Sequence, residues 1–178
     1  MEFKLSREQE LVRKMVREFT ETEVAPIAAE TDRTSQYPAK TIDDLFRYGI
    51  MGMIVPKEYG GAGADDLSGA IAIEELSKAC ASTGDIVATH NGLCCGPIIS
   101  YGTEEQKKKY LPMLTKDRKV GAFCLTEADA GSDASKGTTT AVLDGDHYIL
   151  NGSKIFITNG YVADIFIVFA MTDRSKGT

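Results

Sequence analysis

The sequence reads as an α+β chain: an N-terminal antiparallel helical bundle followed by the first part of an antiparallel β-domain. Three observations predict this. Apolar residues recur at helical spacing through the first two-thirds of the chain, the spacing changes to simple alternation from Lys119, and helices and strands are segregated rather than interleaved as a βαβ sheet requires. The change of period sets a boundary near residue 118, with a helical domain over 1–118 and a partial middle β-domain over 119–178.

In the first helix, Ser6 and Gln9 form a capping box, and Leu11, Val12, Met15, Val16 and Phe19 follow on one face until Pro26, which is expected to end or kink it. Thr41 and Asp44 are read as a second cap, with Ile42, Leu45 and Phe46 as the stripe and Gly49 at a position of positive φ after the helix. "VPKEYGGAGAD" is a loop by its proline and glycine content, and Ala72, Ile73, Leu76 and Cys80 mark a third helix. A fourth, roughly Asp85 to Ile99, carries Ile86, Val87, His90, Leu93, Cys94 and Pro97 along one side. Thr103 with Gln106 caps a fifth, whose inner face holds Tyr110, Leu111 and Leu114.

Beyond the boundary, "VGAFCL", "TTTAVL", "HYIL", "KIFIT" and "DIFIVFAMT" read as successive antiparallel strands. "DGD" and "NG" are the tight turns between them. The final "DRSKGT" is a polar turn that leaves this sheet without a closing element, so the chain has the look of one cut short.

Composition narrows the classes. With 178 residues, 43% hydrophobic and 26% charged, the chain can bury a core and is not a disordered tail. A formal charge of −6 gives no footprint for a phosphate backbone, so nucleic acid is not an expected partner. "MEFKLSREQE" has no apolar leader core and "IFIVFAM" is too short to cross a bilayer, so a cytoplasmic protein with no membrane association is expected. Cys80, Cys94, Cys95 and Cys124 lack the spacing that brings two thiolates to one metal ion and read as buried thiols.

Three catalytic signatures fail on inspection. Gly61 and Gly63 are not followed by a glycine at 66 and do not join a parallel strand to a helix, so "YGGAGAD" is not a dinucleotide loop. No G-x-S-x-G is present, His147 beside the "DGD" turn reads as solvent-exposed, and His90 lies on a packed helix face. "LTEADAGSD" is the segment that stands out. A strand ending in Thr126 and Glu127 that turns through Gly131, Ser132 and Asp133 sets backbone N–H groups and two hydroxyls at one sheet edge, which suits a polar, planar, electron-accepting ring.

"FCLTEADAGSD" together with "YILNGSKIFITNG" resembles the acyl-CoA dehydrogenase flavoprotein family, and the likeness extends through "YGTEEQKKKYLP" and "DIFIVFAMTDRSKG" to cover essentially the whole chain. Within the family it looks closest to bacterial butyryl-CoA or short-chain members. The resemblance implies FAD-dependent α,β-dehydrogenation of short acyl-CoA thioesters, with electrons passed to an electron-transferring flavoprotein by a homo-tetramer. An acyl-CoA oxidase and a non-catalytic binding or assembly subunit of the same fold are the alternatives.

By position in those motifs, the resemblance implies that Phe123, Cys124, Leu125, Thr126, Gly131 and Ser132 run along the flavin. Phe156, Ile157 and Thr158 lie on its other side, with the Thr158 hydroxyl near N5. Ser132 also meets the pantetheine arm of the substrate, and Ile86, Thr89, His90 and Leu93 wall the acyl pocket. The catalytic carboxylate comes from the absent C-terminal domain, so neither Glu127 nor any other residue here is nominated as the base. Phe156 stands where the family has tryptophan, Ala128 where it has proline and Lys136 where it has a small residue. The Lys136 ammonium is expected to reach a CoA phosphate.

Overall fold

The computed structural model describes residues 4–176. Among the described residues seven α-helices are formed, α1 (Arg7–Phe19), α2 (Ala25–Thr34), α3 (Ala39–Arg47), α4 (Asp66–Ala79), α5 (Ala81–Ala88), α6 (Gly96–Tyr101) and α7 (Glu104–Thr115). Four short strands follow, β1 (Gly121–Cys124), β2 (Thr140–Asp144), β3 (His147–Asn151) and β4 (Ile165–Val168). The helix-then-strand order expected from the change of period is the order observed.

Local signals set the helix ends. Both capping boxes form, Ser6 with Gln9 and Thr103 with Gln106, each pairing two otherwise unmet N–H groups. Gly49 takes the expected positive φ, 71°. The second cap is a correction: α3 begins at Ala39 behind Pro38, whose restricted φ suits a helix entry, and Thr41 is buried in the first turn instead of capping it.

Pro26 and Pro97 do not end their helices. Each follows a π-helical turn, Thr20–Val24 before Pro26 and Thr89–Cys95 before Pro97, closed by Ala25 N–H on Thr20 O and by Gly96 N–H on Asn91 O. A proline ring has no N–H and would strike the carbonyl four residues back, and a turn one residue wider removes that clash. The helix expected over Asp85 to Ile99 therefore starts earlier, at Ala81, and divides into α5, the π turn and α6.

Two apolar clusters hold the helical layer. Val16, Phe19, Leu45, Phe46, Ile50, Leu76 and Val87 form the first; Val55, Cys94, Cys95, Ile98, Leu111 and Leu114 form the second, against which Ile165 and Ile167 of β4 pack. Beside the first lies a buried carboxylate, Glu75. The Arg17 guanidinium grips it at 2.9 and 3.1 Å and Lys78 at 2.8 Å, which holds its pKa down to about 2.

The strand region departs from the all-antiparallel expectation. β2 and β3 pair antiparallel across the two-residue turn Gly145–Asp146, but β1 and β4 pair parallel, Gly121 with Ile165 through Cys124 with Val168. Forty-odd residues separate the two, and that chain returns to the starting end before β4 begins, which dictates the parallel sense. "KIFIT" forms no strand, because Phe156 sits at φ 56° and Asn159 at 64°, both left-handed. "NG" accordingly ends β3 and opens no further hairpin. Residues 174–176 make a short 3₁₀ turn after Asp173, and the last two residues of "DRSKGT" lie outside the described residues. The β2–β3 hairpin is exposed on both faces, with Val142, Leu143, Tyr148, Ile149 and Leu150 all open to solvent.

Candidate functional site

β1 delivers its carbonyl end to the turn that stood out in the sequence. Ala122 and Cys124 are buried, Phe123 meets the edge of Phe169 with ring centroids 5.2 Å apart, and the chain then leaves the sheet at Leu125 and Thr126. Burial pushes the Cys124 thiol up, so it is a packing group and not a nucleophile.

The turn is held from beneath by Glu127. This side chain is 5% exposed and accepts from Thr138 N and Oγ1, both at 2.6 Å, from Thr139 N at 2.9 Å and from the Lys154 ammonium at 2.8 Å. Four donors hold its carboxyl far below the usual range. A carboxylate so saturated cannot take a proton from a bound molecule at neutral pH, in keeping with its reading as a turn residue. Above it the backbone closes on itself, Glu127 and Ala130 exchanging both hydrogen bonds around Ala128 and Asp129.

Lys154 is the residue that sequence reasoning missed. Besides Glu127 its ammonium donates to Leu125 O at 2.9 Å, and one residue on, Ile155 N–H donates to Thr126 O at 3.0 Å. The two segments singled out in the sequence, around Thr126 and around Phe156, are thereby laid side by side. The only sequence signal was a lysine set between "NGS" and "IFI", where an unpaired charge would have been out of place.

What this junction presents is unpaired. The Thr126 N–H and hydroxyl, the Ser132 hydroxyl and the N–H groups of Phe156, Ile157 and Thr158 have no partner among the described residues. Phe156 is 89% exposed, and its left-handed backbone turns an aromatic ring outward at a conformation that ordinarily costs energy. A planar heterocycle with acceptors along one edge and an apolar face fits such a surface. Gly131 has open space around it, and Ser132 is exposed.

The Thr158 hydroxyl is engaged elsewhere, donating to Asp85 Oδ2 at 2.9 Å. Asn159 Nδ2 donates to Gly121 O at 3.0 Å and Ile86 O at 3.3 Å. These bonds join the 157–162 segment to α5 and β1 beside a cleft of about 680 Å³, lined by Tyr37, Asp85, Ile86, Ile157, Thr158 and Tyr161. A second cleft, of about 420 Å³, opens beside Leu125, Ser135, Lys154, Phe169 and Met171. Lys136 stands near it, exposed and paired with Asp133 at 3.3 Å.

The four residues expected to wall an acyl pocket do not share one surface. Leu93 is exposed, and Ile86 borders the larger cleft while being largely buried with Thr89. His90 is a correction: its ring is 0% exposed, with Nε2 3.0 Å from Leu114 O and Nδ1 3.1 Å from Gly121 N. On an apolar helix face a pocket wall and a backbone tie look alike in sequence, and here the side chain is the tie.

A fold of helices followed by a small strand layer, with an open polar edge between two turns, defines a class, and comparison with known proteins identifies it. The chain belongs to the acyl-CoA dehydrogenase family: residues 6–118 match the acyl-CoA dehydrogenase N-terminal domain and residues 122–178 the middle domain. A short-chain specific acyl-CoA dehydrogenase of Clostridium acetobutylicum is 60% identical over 178 residues, 100% of this chain and 47% of its own. Butyryl-CoA dehydrogenase from Megasphaera elsdenii superposes with a TM-score of 0.92 at 46% identity, covering 99% of this chain and 47% of that one. An acyl-CoA dehydrogenase of Bacillus anthracis complexed with FAD gives a TM-score of 0.85 at 39% identity over 95% of this chain and 29% of that one. The chain thus spans about half the length of the curated relatives it matches.

Proposed function

We propose that the protein is an FAD-dependent short-chain acyl-CoA dehydrogenase, converting a saturated acyl-CoA thioester to its 2-enoyl-CoA, and that this chain supplies its helical domain and half of its flavin-bearing domain. The observation that carries the reading is the junction of Thr126 with Ile155, beside which unpaired N–H groups and the outward Phe156 ring lie together.

In this reading the Thr126 N–H and hydroxyl donate to the pyrimidine edge of FAD, and the backbone of Phe123 to Leu125 and Gly131 runs along it. Phe156 and Ile157 pack against its face. Thr158 contributes through its N–H, since its hydroxyl is held by Asp85. Ser132 meets the pantetheine arm, and Ile86 and Leu93 lie toward the acyl chain. When bound, FAD supplies an acceptor for the hydride leaving the β-carbon. The α-proton needs a carboxylate that is free to accept it. Glu127 is not free, and the base is assigned to a part of the protein beyond these residues.

We further propose that the reduced enzyme passes its electrons to an electron-transferring flavoprotein, that it works as a homo-tetramer in the cytoplasm and that butyryl-CoA is close to the optimal substrate length. All four cysteines are free thiols, as suits a reducing compartment. No helix among the described residues is long and apolar enough to cross a membrane. Incubating the FAD-loaded full-length protein with butyryl-CoA and an electron acceptor should yield the 2-enoyl thioester, two hydrogens lighter; recovery of unchanged butyryl-CoA from a protein that holds FAD would refute the reading.

A further inference from the structure

The π turn Thr89–Cys95 carries two consecutive buried polar side chains that the proposed chemistry does not use. His90 joins three elements: its Nε2 faces Leu114 O of α7 at 3.0 Å and its Nδ1 faces Gly121 N of β1 at 3.1 Å. A carbonyl can only accept and an amide N–H can only donate, so the ring is neutral, with its hydrogen on Nε2. Asn91 reaches the other way. Its Oδ1 accepts from Gly52 N at 2.7 Å and its Nδ2 donates to Ile50 O at 2.9 Å. In an α-helix two successive side chains diverge by about 100°, and the wider π turn lets this pair serve two neighbours at once.

Gly121 is where these ties meet the site. Its N–H is held by His90 and its carbonyl by Asn159, and a Cβ there would collide with the Cys94 sulfur of the same π turn. Neither a side chain nor a shift of β1 toward the turn can be accommodated. Further along β1 and its exit lie Leu125 and Thr126, the edge assigned to the flavin.

We propose that His90 is a positioning residue for the flavin edge: through the Nε2–H tautomer it sets where β1 starts, and so the height of Thr126 against Phe156–Thr158. It touches neither flavin nor substrate and acts through Gly121. The meaning given to that edge rests on the function proposed above. The groups facing the ring are uncharged: the Phe46 ring from α3, edge-on with centroids 5.5 Å apart, the Leu114 carbonyl from α7, the Gly121 amide from β1 and the Cys95 thiol from its own turn at 3.9 Å. Burial pushes that thiol well up, so it stays neutral. A second ring hydrogen would point Nδ1–H at the Gly121 N–H, so the contact exists for one protonation state alone.

The test uses full-length, FAD-loaded protein. Nitrogen NMR of the His90 ring reads the tautomer, amide exchange reads Gly121, and the visible flavin band and FAD affinity read the edge, in the wild type and in His90→Leu, His90→Gln and Asn91→Ala. The proposal expects an Nε2–H ring at neutral pH, and in H90L faster Gly121 exchange, a shifted flavin band and FAD affinity about tenfold weaker. H90Q, which keeps a donor and an acceptor, should recover most of that loss. N91A loosens the same turn without touching β1, so it should lower the melting temperature and leave the flavin band in place. An Nδ1–H ring, or N91A and H90L shifting the band alike, overturns the proposal; should H90L fail to fold, H90Q and the tautomer still decide it. A wild-type protein that takes up no FAD contradicts the proposed function, while the tautomer and Gly121 exchange continue to report whether His90 holds β1.

Discussion

The Glu127 carboxylate and the Lys154 ammonium lie 2.8 Å apart beneath the turn that carries Thr126. That ion pair is nearly sealed from solvent, with side chains 5% and 11% exposed, and the same ammonium holds Leu125 O. An acid in the middle of a candidate site invites a catalytic role, and its partners argue for a structural one. Glu127→Gln keeps the size and removes the charge. It should weaken FAD binding about tenfold, through loss of charge-assisted hydrogen bonds. Turnover of the loaded enzyme should change by less than about tenfold, whereas removing a general base costs roughly 10²–10⁴. Flavin titration and steady-state turnover of the same preparation separate the two.

Acid should destabilise the fold in two successive windows. Burial lowers the His90 pKa from 6.5 to about 4, so the folded protein binds fewer protons there than the unfolded chain. Stability is full above pH 6.5 and falls as pH drops toward 4, by about 3 kcal/mol at about 1.4 kcal/mol per unit. Glu75 has its pKa lowered from 4.5 to about 2, so its share is intact through most of the histidine window and is lost as pH falls from 4.5 toward 2. Urea unfolding at pH 7.5, 6, 5 and 4 should show the first decline in wild type and little of it in H90Q; equal slopes in both would place the titration elsewhere.

Phe156 combines an 89% exposed ring with φ 56°, and the two should trade against each other. Replacing it with glycine removes a left-handed strain of about 1 kcal/mol and the ring together. F156G should therefore raise the melting temperature of the flavin-free protein and weaken FAD binding, and F156W should restore the binding. Calorimetry without flavin and fluorescence titration with it give the two halves; a variant weaker in both would show that the backbone there is not strained.

Lys136 is exposed and bonded to Asp133 at 3.3 Å, an ion pair that water screens. If its ammonium serves a CoA phosphate, Lys136→Ala should raise the apparent Kd for butyryl-CoA a few-fold at low salt, by roughly 1 kcal/mol or less, with the difference gone at high salt. Affinity measured across an ionic-strength series decides, and identical curves would remove Lys136 from the site.

Local chemistry was legible in the sequence, the Thr41–Asp44 cap and the "NG" hairpin excepted, and long-range pairing was not. The Ser6–Gln9 and Thr103–Gln106 boxes, the left-handed Gly49 and the Gly145 turn each depend on residues within four positions, and all four are found. The parallel pairing of β1 with β4 depends on the path of the chain between them, which alternation of apolar residues does not encode. Pro26 could be seen to disturb a helix, but widening to a π turn and breaking leave the same mark in sequence, and Pro97 was read only as part of a helix face. At the site, Thr126 was visible as part of a distinctive turn, while Phe156 was read as lying in a strand and entered through the family resemblance; the lysine that joins them was not seen. His90 was visible and misplaced, because its partners stand 24 and 31 residues away.

The central claim is that the Thr126 and Phe156 segments form the edge on which a flavin oxidises a short acyl thioester. Anaerobic addition of butyryl-CoA to the FAD-loaded full-length protein tests it most directly, followed by visible absorbance. The account predicts that the oxidised flavin band bleaches on mixing and that a Thr126→Ala, Phe156→Ala double variant loses FAD. A band that stays unchanged with butyryl-CoA, or a double variant that retains FAD with wild-type affinity, would contradict it.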